Sequence, residues 1–150
     1  MTQEHKELLL KDLCARLPYG VKIALKNSEA YHHDNIAKRG NVTIDRLKGF
    51  NGSYFSIYHD DPLDWDWYVS DIDIKDIKPY LFPMSSMTEE EKLMYEGLMI
   101  GTDNISYMLD VIDWLNAHHF DYRGLIEKGL AIDVTNLNIY YDRERKGKSL

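Results

Sequence analysis

Residues 77–91 read IKPYLFPMSSMTEEE, and they divide the chain. Tyr80, Leu81 and Phe82 form an extended apolar peptide between two prolines, which neither donate a ladder hydrogen bond nor let the residue before them turn helical. Thr88 with Glu91 three residues on is a capping-box pattern, and Glu89 and Glu90 suit the positive end of a helix dipole. Strands and turns are expected upstream of this junction, and helices downstream.

Downstream, a helix is predicted from Thr88 to about Met99, with Gly101 as its stop. Asp103 is the expected cap of the next helix, with Ser106 at its third position. Ile105, Met108, Leu109, Ile112 and Leu115 give that helix an apolar stripe running to about His118, read as core-facing. Two glycines, Gly124 and Gly129, bracket a short turn before a last strand at 130–134, and residues 142–150 are polar and expected to fray.

Upstream, residues 3–17 read as an amphipathic helix with Leu10, Leu13, Cys14 and Leu17 on its stripe and Arg16 off it, ended by Pro18. A short strand follows at 21–25 and a loop at 26–41. Asn51-Gly52 is a strong hairpin signal. A two-residue turn there pairs Phe50 with Ser53 and groups Val42, Ile44, Phe50, Phe55 and Ile57 on one face. The phase around Arg46, Leu47 and Lys48 is wrong for that register, and a bulge near Gly49 resolves it. Residues 60–76, with seven aspartates, alternate at Trp65, Trp67 and Val69 before shifting phase to Ile72 and Ile74, which suits one bent strand or two short ones.

The expectation is therefore an α+β fold in one domain, 1–150. A small antiparallel sheet within 21–82 packs with the 3–17 helix and two helices in 88–118. No run of about 18 apolar residues is present, so no transmembrane helix is expected, and the N-terminus lacks a signal-peptide pattern. The lone Cys14 excludes an internal disulfide and fits a reducing cytoplasm. A net charge of −7 disfavours nucleic-acid partners, whose binding rests on phosphate neutralisation.

Three blocks, KDLCARLPYGV at 11–21, IKPYLFPMSSMTEEEK at 77–92 and DWLNAHHFDYRGLIEKGLAI at 113–132, resemble uncharacterised short proteins of gut Bacteroides-type bacteria and their phages and prophages. The resemblance covers about a third of the chain. It implies a bacterial or phage cytoplasmic setting and carries no catalytic residue across.

Three groups of residues could carry chemistry. His118, His119, Asp121 and Arg123, with Tyr122 among them, offer the side chains of an acid–base or metal site, although adjacent histidines on a helix diverge by about 100° and no spaced metal motif exists. The other reading is a helix C-terminus, where cationic side chains suit the dipole, followed by a packed Phe120 and Tyr122. The aspartates at 60–76 could mimic DNA phosphates or hold a hard cation, or simply charge a sheet edge. Tyr54, Tyr58, Trp65, Trp67 and Tyr68, with Arg46 and Lys48, could form a binding surface for a peptide or protein, or pack in the core. No nucleophile triad, phosphate loop or cofactor fingerprint is present. The reading these features support is a non-enzymatic interaction or accessory protein of phage or mobile-element origin. A small enzyme or metal site at 118–123 is the alternative, and an acidic DNA mimic the next.

Overall fold

The computed structural model describes residues 1–31, 38–39, 42–59, 68–101 and 103–140. Its elements in chain order are α1 (Gln3–Arg16), β1 (Lys22–Leu25), β2 (Lys38–Arg39), β3 (Val42–Thr43), β4 (Asp45–Phe50), β5 (Phe55–His59), β6 (Tyr68–Ile72), β7 (Ile77–Pro83), α2 (Glu89–Met99), α3 (Ile105–Ala117), β8 (Phe120–Asp121) and β9 (Ile132–Asp133). The fold is α+β, as the sequence led one to expect. The main sheet runs β6-β5-β4-β1-β7-β8, with β9 also on β7. All its pairs are antiparallel except those of β7 with the two short strands β8 and β9. The expected loop at 26–41 contains instead the strand β2, paired with β3 in a separate ribbon.

Alternation sorts the strands into two cores. Ile23 and Leu25 of β1, Leu47 of β4, Phe55 and Ile57 of β5, and Ile77 and Leu81 of β7 pack with Leu9 and Leu13 of α1. Ala24, Tyr80 and Phe82 point to the other side and pack with Val111 and Leu115 of α3 and with Phe120, Val134 and Ile139. The 77–91 junction is thus an interior strand of the sheet and the start of the helical half. Thr88 and Glu91 form the capping box in full.

Both prolines of the junction lie within β7, and Pro79 stands opposite Ile23 in the interior of the sheet. The next residue explains how. The Tyr140 hydroxyl donates to the Tyr80 carbonyl at 2.8 Å and accepts from the Lys22 amide at 2.8 Å, so the polar groups of Tyr80 face β1. Backbone groups alternate along a strand, which turns the Pro79 nitrogen away from β1, and no ladder bond is lost there.

The hairpin departs from the expected register. Phe50 pairs with Phe55, not Ser53, so 51–54 form a four-residue turn, closed by Ser53 and Tyr54 amides donating to the Asn51 side chain. The bulge is real and falls between Leu47 and Gly49. It places Asp45 and Leu47, rather than Ile44, on the face of Phe55 and Ile57; Ile44 packs in the opposite core. The phase shift in β6 has the same kind of cause. Register slips between the pairs Phe55–Ile72 and Ile57–Val69, and Asp71 absorbs it at φ 59°.

The helix readings need three corrections. Asn104, not Asp103, caps α3, its Oδ1 accepting from the Ser106 amide. Arg16 is not off the buried stripe of α1: Leu9, Asp12, Leu13 and Arg16 are its most buried residues. Ile105, Met108, Leu109 and Ile112 of α3 are exposed, while Val111 and Leu115 are buried.

Tyr140→Phe keeps the ring and removes the hydroxyl bridge between β1 and β7. We expect a loss of about 1–3 kcal/mol, the usual cost of stranding buried polar groups, read from urea unfolding midpoints.

Candidate interaction surface and the buried polar knot

The residues from His118 to Arg123 form the corner where α3 turns into the sheet, and most of their polar atoms hold it, although Nδ1 of His119 and Nε of Arg123 are buried without a hydrogen-bond partner. His118 ends α3, its Nδ1 2.9 Å from the Trp114 carbonyl and its ring stacked on that indole. His119 reverses the chain at φ 62°, with its amide donating to Asn116 and its carbonyl accepting from Phe82. Its ring stacks on Tyr140 with centroids 3.8 Å apart. Both Asp121 oxygens accept backbone amides, from Leu125 at 2.8 Å and Ile126 at 2.9 Å. The two imidazoles thus stack on different rings, and the described residues hold no group of three or more metal-ligating side chains.

Beneath this corner lies a pair that the sequence reading missed. Asp12 and Arg16 are one helical turn apart and wholly buried. Arg16 donates from Nε to Asp12 at 2.8 Å and from Nη2 at 3.1 Å, and reaches across to the Phe120 carbonyl at 2.6 Å. Arg123 approaches the same carboxylate at 3.6 Å. Both guanidiniums stand over the Tyr122 ring, Arg16 at 5.1 Å and Arg123 at 5.3 Å, and the Tyr122 hydroxyl donates to Asn116. Burial raises the Asp12 pKa, opposed by the attraction of Arg16. Burial, helped by repulsion from Arg16, lowers that of His119 to about 3. The only sign of the pair in the sequence is its i,i+4 spacing, which surface pairs share.

Of the expected aromatic surface, Trp65 and Trp67 lie outside the described residues, as do the aspartates at 60–66 and the 142–150 tail. Tyr54 is exposed in the hairpin turn. Tyr58 pairs with Tyr68 across β5 and β6, and Lys48 and Arg46 stand over its ring at 4.9 and 5.6 Å. These three side chains form a small basic-aromatic patch on the sheet.

The larger surface is on the helices. α2 has no buried residue, and the first half of α3 has none before Val111. Together they form a hairpin arm. It exposes Ile100 by 86%, Ile105 by 75%, Leu93 by 72%, Leu109 by 59%, Met108 by 51% and Ile112 by 38%. Residues on a helix advance by about 100° each, so Ile105, Met108, Leu109 and Ile112 share one stripe. Tyr107 and Trp114 lie on the opposite side of α3 and are turned toward its neighbour: Trp114 stacks on Tyr95 of α2, and Tyr107 lies against Gly101 in the link between the helices. The α3 stripe therefore faces neither α2 nor the core. No helix among the described residues is long and apolar enough to cross a membrane.

No protein-family model, curated protein or solved structure matches this chain. What the arm does must be argued from its own chemistry.

Two tests follow from the knot. Asp12→Ala strands a buried guanidinium and should cost about 3–5 kcal/mol, whereas Asp12→Leu with Arg16→Met should cost far less, because the charge leaves with its partner; urea unfolding of both variants measures the difference. The second is a pH profile. The unfolded chain protonates His119 near pH 6.5 and the folded chain only near 3. Stability therefore falls as pH is lowered through that window. Asp12, with its raised folded value, acts in the opposite sense, so the comparison is with His119→Asn, which tolerates the positive φ. That variant should lose less stability than the wild type between pH 7 and pH 4.

Proposed function

We propose that this chain is a non-enzymatic interaction or accessory protein, and that it docks through the outer face of the α2–α3 arm. One observation carries the reading. The most regular apolar stripe of the helical half, Ile105, Met108, Leu109 and Ile112, is left outside the core. Contiguous apolar surface of this kind on a folded chain marks a contact site. The 118–123 cluster supports a structural role for the same reason that it would serve poorly as a catalyst, since its carboxylate and backbone groups are already engaged. The resemblance of the three sequence blocks supports a phage or mobile-element origin and a setting in the bacterial cytoplasm.

The Tyr58 patch supports a second reading, contact with an extended peptide along the sheet, because its two cations sit on one aromatic face. Arm and patch are separated by mutation. Leu109→Glu removes apolar surface without touching a core residue, so the melting temperature should stay within a degree or two of wild type. In pull-downs from bacterial lysate treated with nuclease, Leu109→Glu should lose the stoichiometric partners that Tyr58→Ala retains. Loss with Tyr58→Ala alone would transfer the site to the sheet.

A further inference from the structure

The arm's stripe is self-complementary, and we propose that its occupant is a second copy of this chain. Two α3 helices would cross antiparallel about a two-fold axis passing between Met108 and Leu109. This rests on the reading of the arm as a docking surface and goes beyond it by naming what docks.

The spacing of the stripe makes the pairing closed. Ile105, Met108, Leu109 and Ile112 are separated by three, one and three positions, so reversing the helix returns the same pattern. Ile105 of each copy meets Ile112 of the other, and Met108 meets Leu109. An isologous contact demands this, because one patch must fit itself. The stripe also has ends: Asn104 caps the helix before it, and Leu115 and Asn116 return to the core after it. Two turns are exposed, and two turns are matched.

The area is adequate. Taking about 150–200 Å² for a fully exposed large apolar side chain, the four residues present on the order of 400 Å². A standard interface buries about 800 Å² per partner, of which a little over half is apolar, so the stripe comes close to one partner's apolar share.

The polar residues of α3 agree with the same axis. Asp110 lies on the far side of the helix from the stripe, and Ser106 on its flank. Asp113, which accepts from Tyr19, shares the flank of Ser106 and so comes beside Ser106 of the other copy, a hydroxyl that can donate, rather than another carboxylate. From Leu93 to Tyr122 the chain has no Lys or Arg, while Glu96, Asp103, Asp110 and Asp113 are acidic. An anionic lipid surface is therefore a poor occupant. A partner rimmed with basic residues is the competing occupant, and salt separates it from a second copy. Two chains of charge −7 repel each other at long range, so salt should tighten a dimer held by apolar contact; salt would loosen a complex held by opposite charges.

Sedimentation velocity of the full chain, over a concentration series at low and high salt, tests the proposal. The expected result is a species of twice the 17.6 kDa monomer mass, with a dissociation constant that falls as salt rises. Leu109→Glu brings carboxylates together at the axis and should weaken the dimer by about tenfold or more, with an unchanged melting temperature at concentrations where both proteins are monomeric. In a Cys14→Ser background, Leu109→Cys should cross-link to itself under mild oxidation, because helices about 8–10 Å apart bring residues at the axis within disulfide reach; Leu93→Cys, off the stripe, should not. A monomer under every condition overturns the proposal. So does a dimer that Leu109→Glu leaves intact or that salt dissolves. The dye 1-anilinonaphthalene-8-sulfonate then separates the two readings. If monomeric wild type binds it and Leu109→Glu does not, the arm remains a docking surface for another protein. If neither binds, the arm is not an open apolar face, and both readings fall together.

Discussion

The Asp12–Arg16 pair is the constraint around which the two halves of the fold are fixed. A guanidinium wholly out of water is tolerated only when its charge is matched and its donors are largely used; in Arg16, Nε and Nη2 are bonded and Nη1 is not. Two of the three groups that match it sit at set positions: Asp12 one turn back on α1, and the Phe120 carbonyl at the corner leaving α3. The third, the Tyr122 ring, comes from the same corner. A slide of α1 by one turn would bury an unmatched charge. The pair therefore specifies where α1 lies relative to the sheet more sharply than Leu9 and Leu13 could, since apolar contacts tolerate small shifts. Replacing it with apolar residues would test stability; what it supplies to the native state is register.

That same pair shows what the sequence could and could not disclose. The α1 helix was legible, but its buried face was not, because two of the four residues on that face are charged and a hydrophobic period ignores them. The capping box at Thr88 and the bulge before Gly49 were legible, since each is a local pattern with a local cause. The turn at 51–54 was misjudged by two residues: Asn51 uses its side chain to cap the turn, an option open to asparagine that the dipeptide alone does not reveal. Pro79 inside a central strand was hidden for a different reason. Its tolerance depends on which edge of β7 faces β1, a register set by pairing with a strand more than fifty residues earlier in the sequence.

The 118–123 cluster offers two readings, a chemical site and a helix end, and the sequence alone does not choose between them. The His118–Arg123 cluster had the right side chains for chemistry, yet a chain reversal at a helix end needs many of the same groups. His119 supplies a residue able to take a positive φ, and Asp121 supplies two acceptors for the exposed amides of the following turn. Composition cannot distinguish a corner from an active site; only the count of atoms already engaged can. The α3 stripe misled for a different reason. Periodicity says that a face is apolar and leaves open what covers it, and a helix that lies half on the core and half beyond it carries a single pattern through both environments.

The division of α3 has a mechanical consequence for the proposed docking role. Its C-terminal half is locked to the sheet by Trp114, stacked between His118 and Tyr95 and against Phe120, with Phe120 in turn packed on Phe82 of β7. The exposed half is a continuation of the same helix, so its direction is inherited from the core with no hinge between. A contact surface presented in this way enters a complex with little backbone freedom left to lose, which lowers the entropic cost of association. The acidic residues around the arm act on the other side of the balance. They leave the stripe itself uncharged while discouraging indiscriminate contact between copies, so that only an approach aligning apolar side chains over two full turns overcomes the repulsion.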